Sequence, residues 1–328
     1  MKKLNLLKTA FVAIFATVAF SCSDDDSNPP QSNTIAAIAS RTPNLSILVQ
    51  ALDRAGLVSA VDGTTQLTVF APTNTAFNNF FASLGPNVNV NNVDLNTLRQ
   101  VLLNHVVAGA VQSSQLQTGY IKTSATFGGT TSGNTLSMYV NTASGVRLNG
   151  VSSVTTANVI ASNGVVHIVD AVIGLPTVVT FATADPNFST LVAALTREGD
   201  NITDFVSVLS GNGPFTVFAP TNAAFGDLLT ELNLPNLAAI PESTLDPVLK
   251  YHVASGNVLS SALTPNGVTP VTTILGPTAT FNITLPGTGG NIANVTDGAG
   301  RASGIVAVDV QAANGVIHVL NKVILPGS

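Results

Sequence analysis

Four histidines are the residues of this 328-residue sequence best suited to metal or acid–base chemistry. They stand at matching positions in two similar halves: His105 and His252 end two helical stripes, and His167 and His318 lie in two closing strands. Two imidazoles brought together in each half could share a metal or exchange a proton. A metal site needs three or four converging ligands, and each half offers two histidines and no equivalent cysteine. We therefore predict structural, partly buried histidines that bond to the backbone, with no bound metal or cofactor.

The sequence lacks the common signatures of an enzyme active site. It has no G-x-S-x-G elbow, no H-E-x-x-H motif, no P-loop and no G-x-G-x-x-G between a strand and a helix. Glycoside hydrolysis needs two placed carboxylates, and Asp170 is the one acid in the blocks that the two halves share. A single cysteine excludes an intrachain disulfide and a thiolate zinc cluster. We predict that the protein is not an enzyme.

The two halves are copies of one domain, because three sequence blocks recur in the same order at nearly constant spacing. TVFAPTNTAF and TVFAPTNAAF, for example, differ at a single position. The block pairs lie at 43–52 and 186–195, at 68–77 and 216–225, and at 163–173 and 314–324. We place domain 1 at residues 34–175 and domain 2 at residues 176–328. The join is too short for a free linker, which predicts that the two domains touch.

Each copy begins with helical patterns and continues with strand patterns. Leu45, Leu48, Val49 and Leu52 have the i, i+3, i+4, i+7 spacing of an amphipathic helix. Later segments such as 135–140 alternate apolar and polar residues, as half-buried antiparallel strands do. Helices and strands that are segregated along the chain predict an α+β fold.

Asparagines occupy several positions where an element begins. We expect Asn74 and Asn222 to cap a helix by accepting hydrogen bonds from its free N–H groups. The Asn-Gly pairs at 163–164 and 314–315 precede β-branched runs. They are turn signals, and we expect them to start the last strand of each domain.

The T-V-F-A-P-T-N-x-A-F block, the helix that ends in His-Val and the closing N-G-V-(V/I)-H strand resemble the fasciclin domain, and both copies carry all three. The resemblance covers nearly all of the chain that follows the N-terminal segment. It implies that each domain is a β-wedge of two small sheets with helices packed around it, and it implies a role in cell adhesion or matrix association.

One motif of the family has been linked to integrin binding in its animal members, namely a Tyr-His pair flanked by apolar residues. Tyr251-His252 keeps this pair, whereas domain 1 has Asn104-His105. The chain contains no Arg-Gly-Asp sequence. We therefore do not transfer the integrin function, and the four positions remain candidate binding or family-motif positions.

The N-terminal segment is expected to export and anchor the protein. Residues 1–21 have the basic start, short apolar run and small residue of a signal peptide. The sequence VAFSC, which ends at Cys22, resembles the lipobox of bacterial lipoproteins, in which the cysteine is acylated; Phe20 departs from the usual small residue. The alternative is an ordinary signal peptide and a free thiol.

Residues 22–33 are polar and proline-containing, which predicts a flexible tether. We expect a lipid-anchored protein of the bacterial cell envelope, at the outer membrane and exposed on the surface.

Composition limits the partners that the protein can bind. Charged residues make up 9% of the chain, acidic residues outnumber basic ones 17 to 12, and tryptophan is absent, so a nucleic-acid-binding surface is not expected. We expect a non-catalytic adhesion or matrix-association protein that binds protein or glycan partners and associates weakly with itself. The alternative is a periplasmic or surface ligand-binding module that serves a neighbouring transporter or enzyme. A deep pocket with converging polar groups would favour this alternative, and a contiguous apolar patch would favour the adhesin.

Overall fold

The computed structural model describes residues 33–130, 133–199 and 202–327. The expected signal peptide, the lipidation site at Cys22 and residues 22–32 of the expected tether lie outside this part of the chain. Among the helices of the described residues, none is both long enough and apolar enough to cross a bilayer.

Domain 1 combines short helices with a seven-stranded sheet. Its helices are α1 (Ile35–Arg41), α2 (Ser46–Arg54), α3 (Val58–Asp62), α4 (Asn74–Leu84) and α5 (Leu95–Asn104). Its strands are β1 (Leu67–Pro72), β2 (Val106–Ala108), β3 (Gly119–Thr126), β4 (Thr135–Asn141), β5 (Arg147–Leu148), β6 (Ser152–Ala161) and β7 (Gly164–Val169). All five of these α-helices precede β2, which confirms the predicted α+β class.

Domain 2 repeats the same series of elements. Its helices are α6 (Val178–Ala184), α7 (Ser189–Leu195), α8 (Phe205–Ser210), α9 (Asn222–Glu231) and α10 (Glu242–Tyr251). Its strands are β8 (Phe215–Pro220), β9 (Val253–Ser255), β10 (Val268–Thr272), β11 (Thr280–Thr284), β12 (Ala293–Thr296), β13 (Ala302–Ala312) and β14 (Gly315–Leu320).

The two sheets have the same topology. The strand order is β2-β1-β7-β6-β5-β4-β3 in domain 1 and β9-β8-β14-β13-β12-β11-β10 in domain 2. The early strand β1 pairs in parallel with the last strand β7, and β8 pairs in the same way with β14. The other strand pairs are antiparallel. A strand from the helical part therefore lies beside the last strand of its domain.

The sheet of domain 1 folds over on itself. Phe70 and Val169, on β1 and β7, share one buried cluster with Met138, Val140 and Leu148, on β4 and β5. These strands stand far apart in the order of the sheet, so their side chains meet only because the two halves of the sheet face each other. The two facing halves of this continuous seven-stranded sheet correspond to the two small sheets of the predicted β-wedge.

The long strands β6 and β13 carry the bend between the two halves. Each shifts register twice against its antiparallel neighbour, and such bulges bend a strand. Asn158 and Asp309 occupy matching bulge positions with φ values of 61° and 59°. The Asn158 side chain accepts a hydrogen bond from Ser113 N, and the Asp309 carboxylate accepts one from Ser260 N, both at 2.8 Å. The bulges thus hold the segments that lead into β3 and β10.

Helices cover the outer face of the parallel strand pair. In the predicted stripe of α2 and the turn before it, Leu45, Leu48 and Leu52 are buried and Val49 is half-buried. They share a buried cluster with Val69 of β1. The spacing of the stripe therefore identified the face that packs on the sheet.

The prediction that Asn74 and Asn222 cap helices was wrong. Thr73 and Thr221 are the N-caps of α4 and α9, and their hydroxyl groups accept hydrogen bonds from the backbone N–H three residues ahead. Asn74 is the first helical residue, and its Oδ1 accepts from Ile47 N at 2.9 Å. Because the Asn74 side chain connects α2 to α4, the preceding residue, Thr73, caps α4 instead.

Strand β4 is buried on both faces because domain 2 packs against it. Met138 and Val140 point into the core of domain 1. On the opposite face, Tyr139 belongs to the buried cluster of domain 2, and Ser137 Oγ accepts a hydrogen bond from Gln311 N at 3.0 Å. The two domains therefore touch, as the short join predicted.

An aromatic contact and two hydrogen bonds also join the two domains. The Tyr120 ring meets the Phe181 ring edge-on at 5.4 Å between centroids, and the Tyr120 hydroxyl donates to Asp185 Oδ2 at 3.1 Å. Lys122 Nζ donates to the backbone oxygen of Asp309 at 2.8 Å. Burial, and secondarily the negative charge of Asp185, raises the pKa of Tyr120, so this phenol remains a hydrogen-bond donor.

The corresponding hairpin of domain 2 lacks the aromatic pair. Tyr120 and Tyr139 are directly opposite each other on β3 and β4, and the residues paired at the same point of β10 and β11 are Val268 and Thr284. Val268 is 53% exposed, and β11 alternates buried and exposed residues. The aromatic pair that docks domain 1 on domain 2 is therefore not repeated on the domain 2 hairpin.

Candidate functional site

His105 lies directly after α5 and joins this helix to the end of domain 1. Its Nδ1 is 2.7 Å from the backbone oxygen of Val101, and its Nε2 accepts a hydrogen bond from Ile173 N at 2.9 Å. Because Nε2 accepts, the proton of the neutral ring is on Nδ1, which donates to Val101. Both ring nitrogens are therefore bonded to the backbone.

His252 makes the same pair of contacts after α10. Its Nδ1 is 2.7 Å from Val248 O, and its Nε2 accepts from Ile324 N at 3.1 Å. Both His105 and His252 are buried, and burial lowers the pKa of each imidazole to about 4, although the bond to the helix carbonyl opposes this shift. Both rings are neutral at physiological pH.

The lowered pKa values of His105 and His252 lead us to expect that acid destabilises the protein. The unfolded chain has a histidine pKa near 6.5 and binds protons that the folded chain excludes, so stability is complete above that pH and is lost as pH falls through about 4. We expect the free energy of unfolding to fall by about 3 kcal/mol for each of the two histidines across this range. Urea denaturation at a series of pH values measures this decrease in the free energy of unfolding.

A double variant provides the control for this pH dependence. His105→Leu with His252→Leu removes both groups, so its unfolding free energy should change much less between neutral pH and pH values near 5 than that of the wild type. Equal slopes in the two proteins would contradict the assignment.

His167 and His318 occupy matching places on the last strands, β7 and β14. Their Nε2 atoms bond to the backbone oxygens of Val111 and Val258 at 3.0 and 2.8 Å. The His167 ring stacks on Phe70 at 5.5 Å between centroids, and domain 2 repeats this stacking. Burial lowers the pKa of both rings. Each ring thus ties the last strand to the segment that follows β2 or β9.

The arrangement does not assemble a reactive site from the histidines. The nitrogens of His105 and His252 are occupied by backbone partners, so neither ring can bind a ligand or take up a proton without breaking a buried bond. Within the described ranges, no three histidine, cysteine, aspartate or glutamate side chains converge closely enough to hold a metal ion.

Asn104 precedes His105, and Tyr251 precedes His252. These two side chains occupy matching positions but form different hydrogen bonds. Asn104 donates to Gly174 O at 3.0 Å and accepts from the Thr123 hydroxyl at 3.2 Å. The Tyr251 hydroxyl donates to the backbone oxygen of Thr280. Both side chains connect the last residue of the helix to the facing half of the wedge.

All four candidate binding positions are interior residues. The exposed fractions of Asn104, His105, Tyr251 and His252 range from 0 to 3%. In this conformation a partner cannot contact their side chains, and their role in binding stays a prediction. Their hydrogen bonds support the family-motif interpretation.

The Asn-Gly pairs do more than start the last strand. The Asn163 side chain accepts from Ile35 N at 2.9 Å and donates to Val61 O and Gly63 O at 2.9 and 2.7 Å. Asn314 makes the corresponding three bonds in domain 2. The predicted turn residue therefore also fastens the first and third helices of each domain. The Asn-Gly pair is identical in the two copies, and this identity was the sequence signal for such a role. The spacing of the residues did not indicate which backbone groups each asparagine would bind.

Comparison with known proteins identifies the family. The model of the fasciclin domain matches residues 43–176 and 186–326, and the chain belongs to the fasciclin family. The fold resembles a FAS1 domain pair from the insect cell adhesion molecule Fasciclin I, with a TM-score of 0.51, 22% sequence identity and coverage of 85% of this chain and 95% of that one.

Relatives occur in bacteria and in animals. Protein sll1483 of Synechocystis is 37% identical over 152 residues, which are 46% of this chain and 73% of that protein. Transforming growth factor-beta-induced protein ig-h3 of Sus scrofa is 29% identical over 283 residues, which are 82% of this chain and 36% of that protein. Fasciclin domains are linked to cell-adhesion and extracellular-matrix proteins, which are typically extracellular or surface-associated.

Proposed function

We propose that this chain is a non-catalytic adhesion or matrix-association protein, anchored by a lipid on Cys22 to the bacterial cell envelope. The observation that carries the proposal is the position of the histidines. The four groups best suited to catalysis are bonded to the backbone inside the domains, which leaves a surface of largely neutral side chains. Such a surface suits binding of protein or glycan partners and weak self-association.

The docked domains support a role in attachment. Tyr139 and its neighbours join the two domains through a buried interface, so the pair can transmit force from the anchored end to a partner. The lipid and the outer-membrane location rest on the lipobox resemblance. Several acyl chains on one cysteine would hold the protein at the membrane durably.

The alternative, a periplasmic or surface ligand-binding module that serves a neighbouring transporter or enzyme, has less support if its ligand is polar. A cavity beside the first helices of domain 2 has an almost wholly apolar lining, and its lining residues provide no converging charged groups. A polar solute would lose its bonds to water there without replacement.

Three strains test the proposal: cells with the gene, cells without it, and cells that carry Cys22→Ser. We expect the deletion to reduce attachment to matrix or to sister cells, and protease treatment of intact cells to remove the wild-type protein. Cys22→Ser should release folded protein from the membrane and reduce attachment equally. Unchanged attachment in the deletion strain, together with protection from protease, would overturn the proposal in favour of a periplasmic module.

A further inference from the structure

Domain 2 contains an apolar cavity beside its first three helices. The cavity has a volume of about 150 Å³ and lies between these helices and the outer face of β8 and β14. Residues of each element line it: Val178, Ala182, Leu191, Leu209, Val217 and Ile317. Val192 and Val206 lie at its edge and are partly exposed, so the cavity opens to the surface.

Domain 1 provides an internal comparison, because the same place is almost filled there. The cavity between α1, α2, α3 and the parallel strands of domain 1 measures about 20 Å³. The residues that line it occupy the matching positions of the repeat: Ile35, Ala39, Leu48, Val61, Val69 and Val166. The fasciclin architecture therefore does not require the larger cavity.

The placement of the helices opens the cavity. Domain 2 carries Phe188 and Phe205 where domain 1 carries Leu45 and Leu57, so the side chains at these positions are larger beside the larger of the two matching cavities. Helix α7 ends at Leu195, whereas α2 continues for two further residues in the repeat. The chain between α7 and α8 is also longer than the chain between α2 and α3. Contact between α7 and α8 is correspondingly weaker than contact between α2 and α3.

An unfilled space of this kind fits an apolar ligand. Protein interiors are normally packed without voids larger than a water molecule. A cavity of about 150 Å³ lined by apolar side chains can accept a small hydrocarbon, because water finds no hydrogen-bond partners on such a lining. A straight alkyl chain entering between α7 and α8 would contact the side chains that now face empty space.

The charged residues at the edge of the cavity determine which charge the polar end of such a ligand should carry. Glu198 and Asp204 are exposed in the segment next to the edge residue Val206, and the Glu242 carboxylate lies against Gly199 of the same segment. The nearby Arg197 donates to a backbone carbonyl, that of Ile240, at 2.6 Å. A fourth carboxylate, that of Asp246, accepts from Thr203 N and is paired with Lys250. Among the described residues of this region, Glu198, Asp204 and Glu242 therefore leave an excess of negative charge over Arg197, which favours a cationic group and disfavours an anionic one.

We propose that domain 2 binds a small cationic amphiphile, with the alkyl chain in the apolar cavity and the ammonium group beside the Glu198 and Asp204 carboxylates. This activity goes beyond adhesion and does not depend on it. Octylamine, octanol and octanoate share one alkyl chain and differ in the charge of the polar end, so they separate the two parts of the proposal.

The test uses calorimetric titration of the released Cys22→Ser chain in detergent-free buffer of low ionic strength. We expect octylamine to bind with one molecule per chain and octanoate to bind about tenfold more weakly, with octanol between them. Absence of octylamine binding, or equal affinity for octylamine and octanoate, would overturn the proposal.

Matched variants locate the site. Val192→Phe fills the edge of the cavity and should abolish binding, while Val49→Phe, the same change at the matching position of domain 1, should leave it unchanged. Glu198→Gln with Asp204→Asn should lower the octylamine affinity to that of octanol, and asparagine still caps α8. Binding that survives Val192→Phe, in a variant that retains the wild-type circular dichroism spectrum, would place the ligand elsewhere and refute the assignment.

Discussion

Replacing Tyr139 with alanine is expected to destabilise the domain pair by about 3–5 kcal/mol, the usual cost of removing a large buried ring. Tyr139 is 2% exposed, and its ring packs against that of Tyr120 at 5.1 Å between centroids. It belongs to the core of domain 2 although it stands on a strand of domain 1. Its loss should therefore also weaken the coupling between the domains, and a single unfolding transition should separate into two.

Chemical denaturation followed by circular dichroism measures both effects. Tyr120→Phe is the matched control, because it removes the hydrogen bond to the Asp185 carboxylate and keeps the ring; it should cost about 1.5–3 kcal/mol. A Tyr139→Ala protein that unfolds in one transition at the wild-type midpoint would show that the interface contributes nothing to stability.

Replacing His105 with leucine is expected to destabilise domain 1 by about 2–4 kcal/mol, since Ile173 N and Val101 O would both be left buried without a partner. Leucine is similar in size to histidine, so the loss reports mainly on hydrogen bonding. His252→Leu should have the same effect on domain 2, because the contacts are repeated there.

A glutamine at position 105 tests this explanation. Its side-chain oxygen can reach the place of Nε2 and accept the Ile173 N–H, so His105→Gln should retain more stability than His105→Leu in the same urea titration. If both variants were as stable as the wild type, these bonds would not hold α5 to the end of the domain.

The pattern of local residues was sufficient to predict much of the fold. The stripe of Leu45, Leu48 and Leu52 identified the buried face of α2, because a helix repeats its facing residues every three or four positions. The Asn-Gly pairs marked the starts of β7 and β14, because few residues tolerate the backbone of a tight turn.

The helix caps show where local pattern was insufficient. Thr73 and Asn74 are both good capping residues, and the choice between them depended on Ile47, a residue far away in the sequence whose N–H needs the Asn74 side chain. The candidate site followed the same rule. The repeated positions of the histidines indicated that they matter to both domains. Local pattern did not predict their backbone partners, several of which come from other segments of each domain.

The sequence by itself determined the duplication, the α+β class, the family and the helix faces, since these are recorded in identity between copies and in local spacing. Tertiary structure decided that Tyr139 completes the core of the other domain and that the cavity at one matching place is much larger in domain 2 than in domain 1. Both depend on how preformed elements are placed against each other. Two copies with matching patterns can differ in such placement after a small change in the length of one connection.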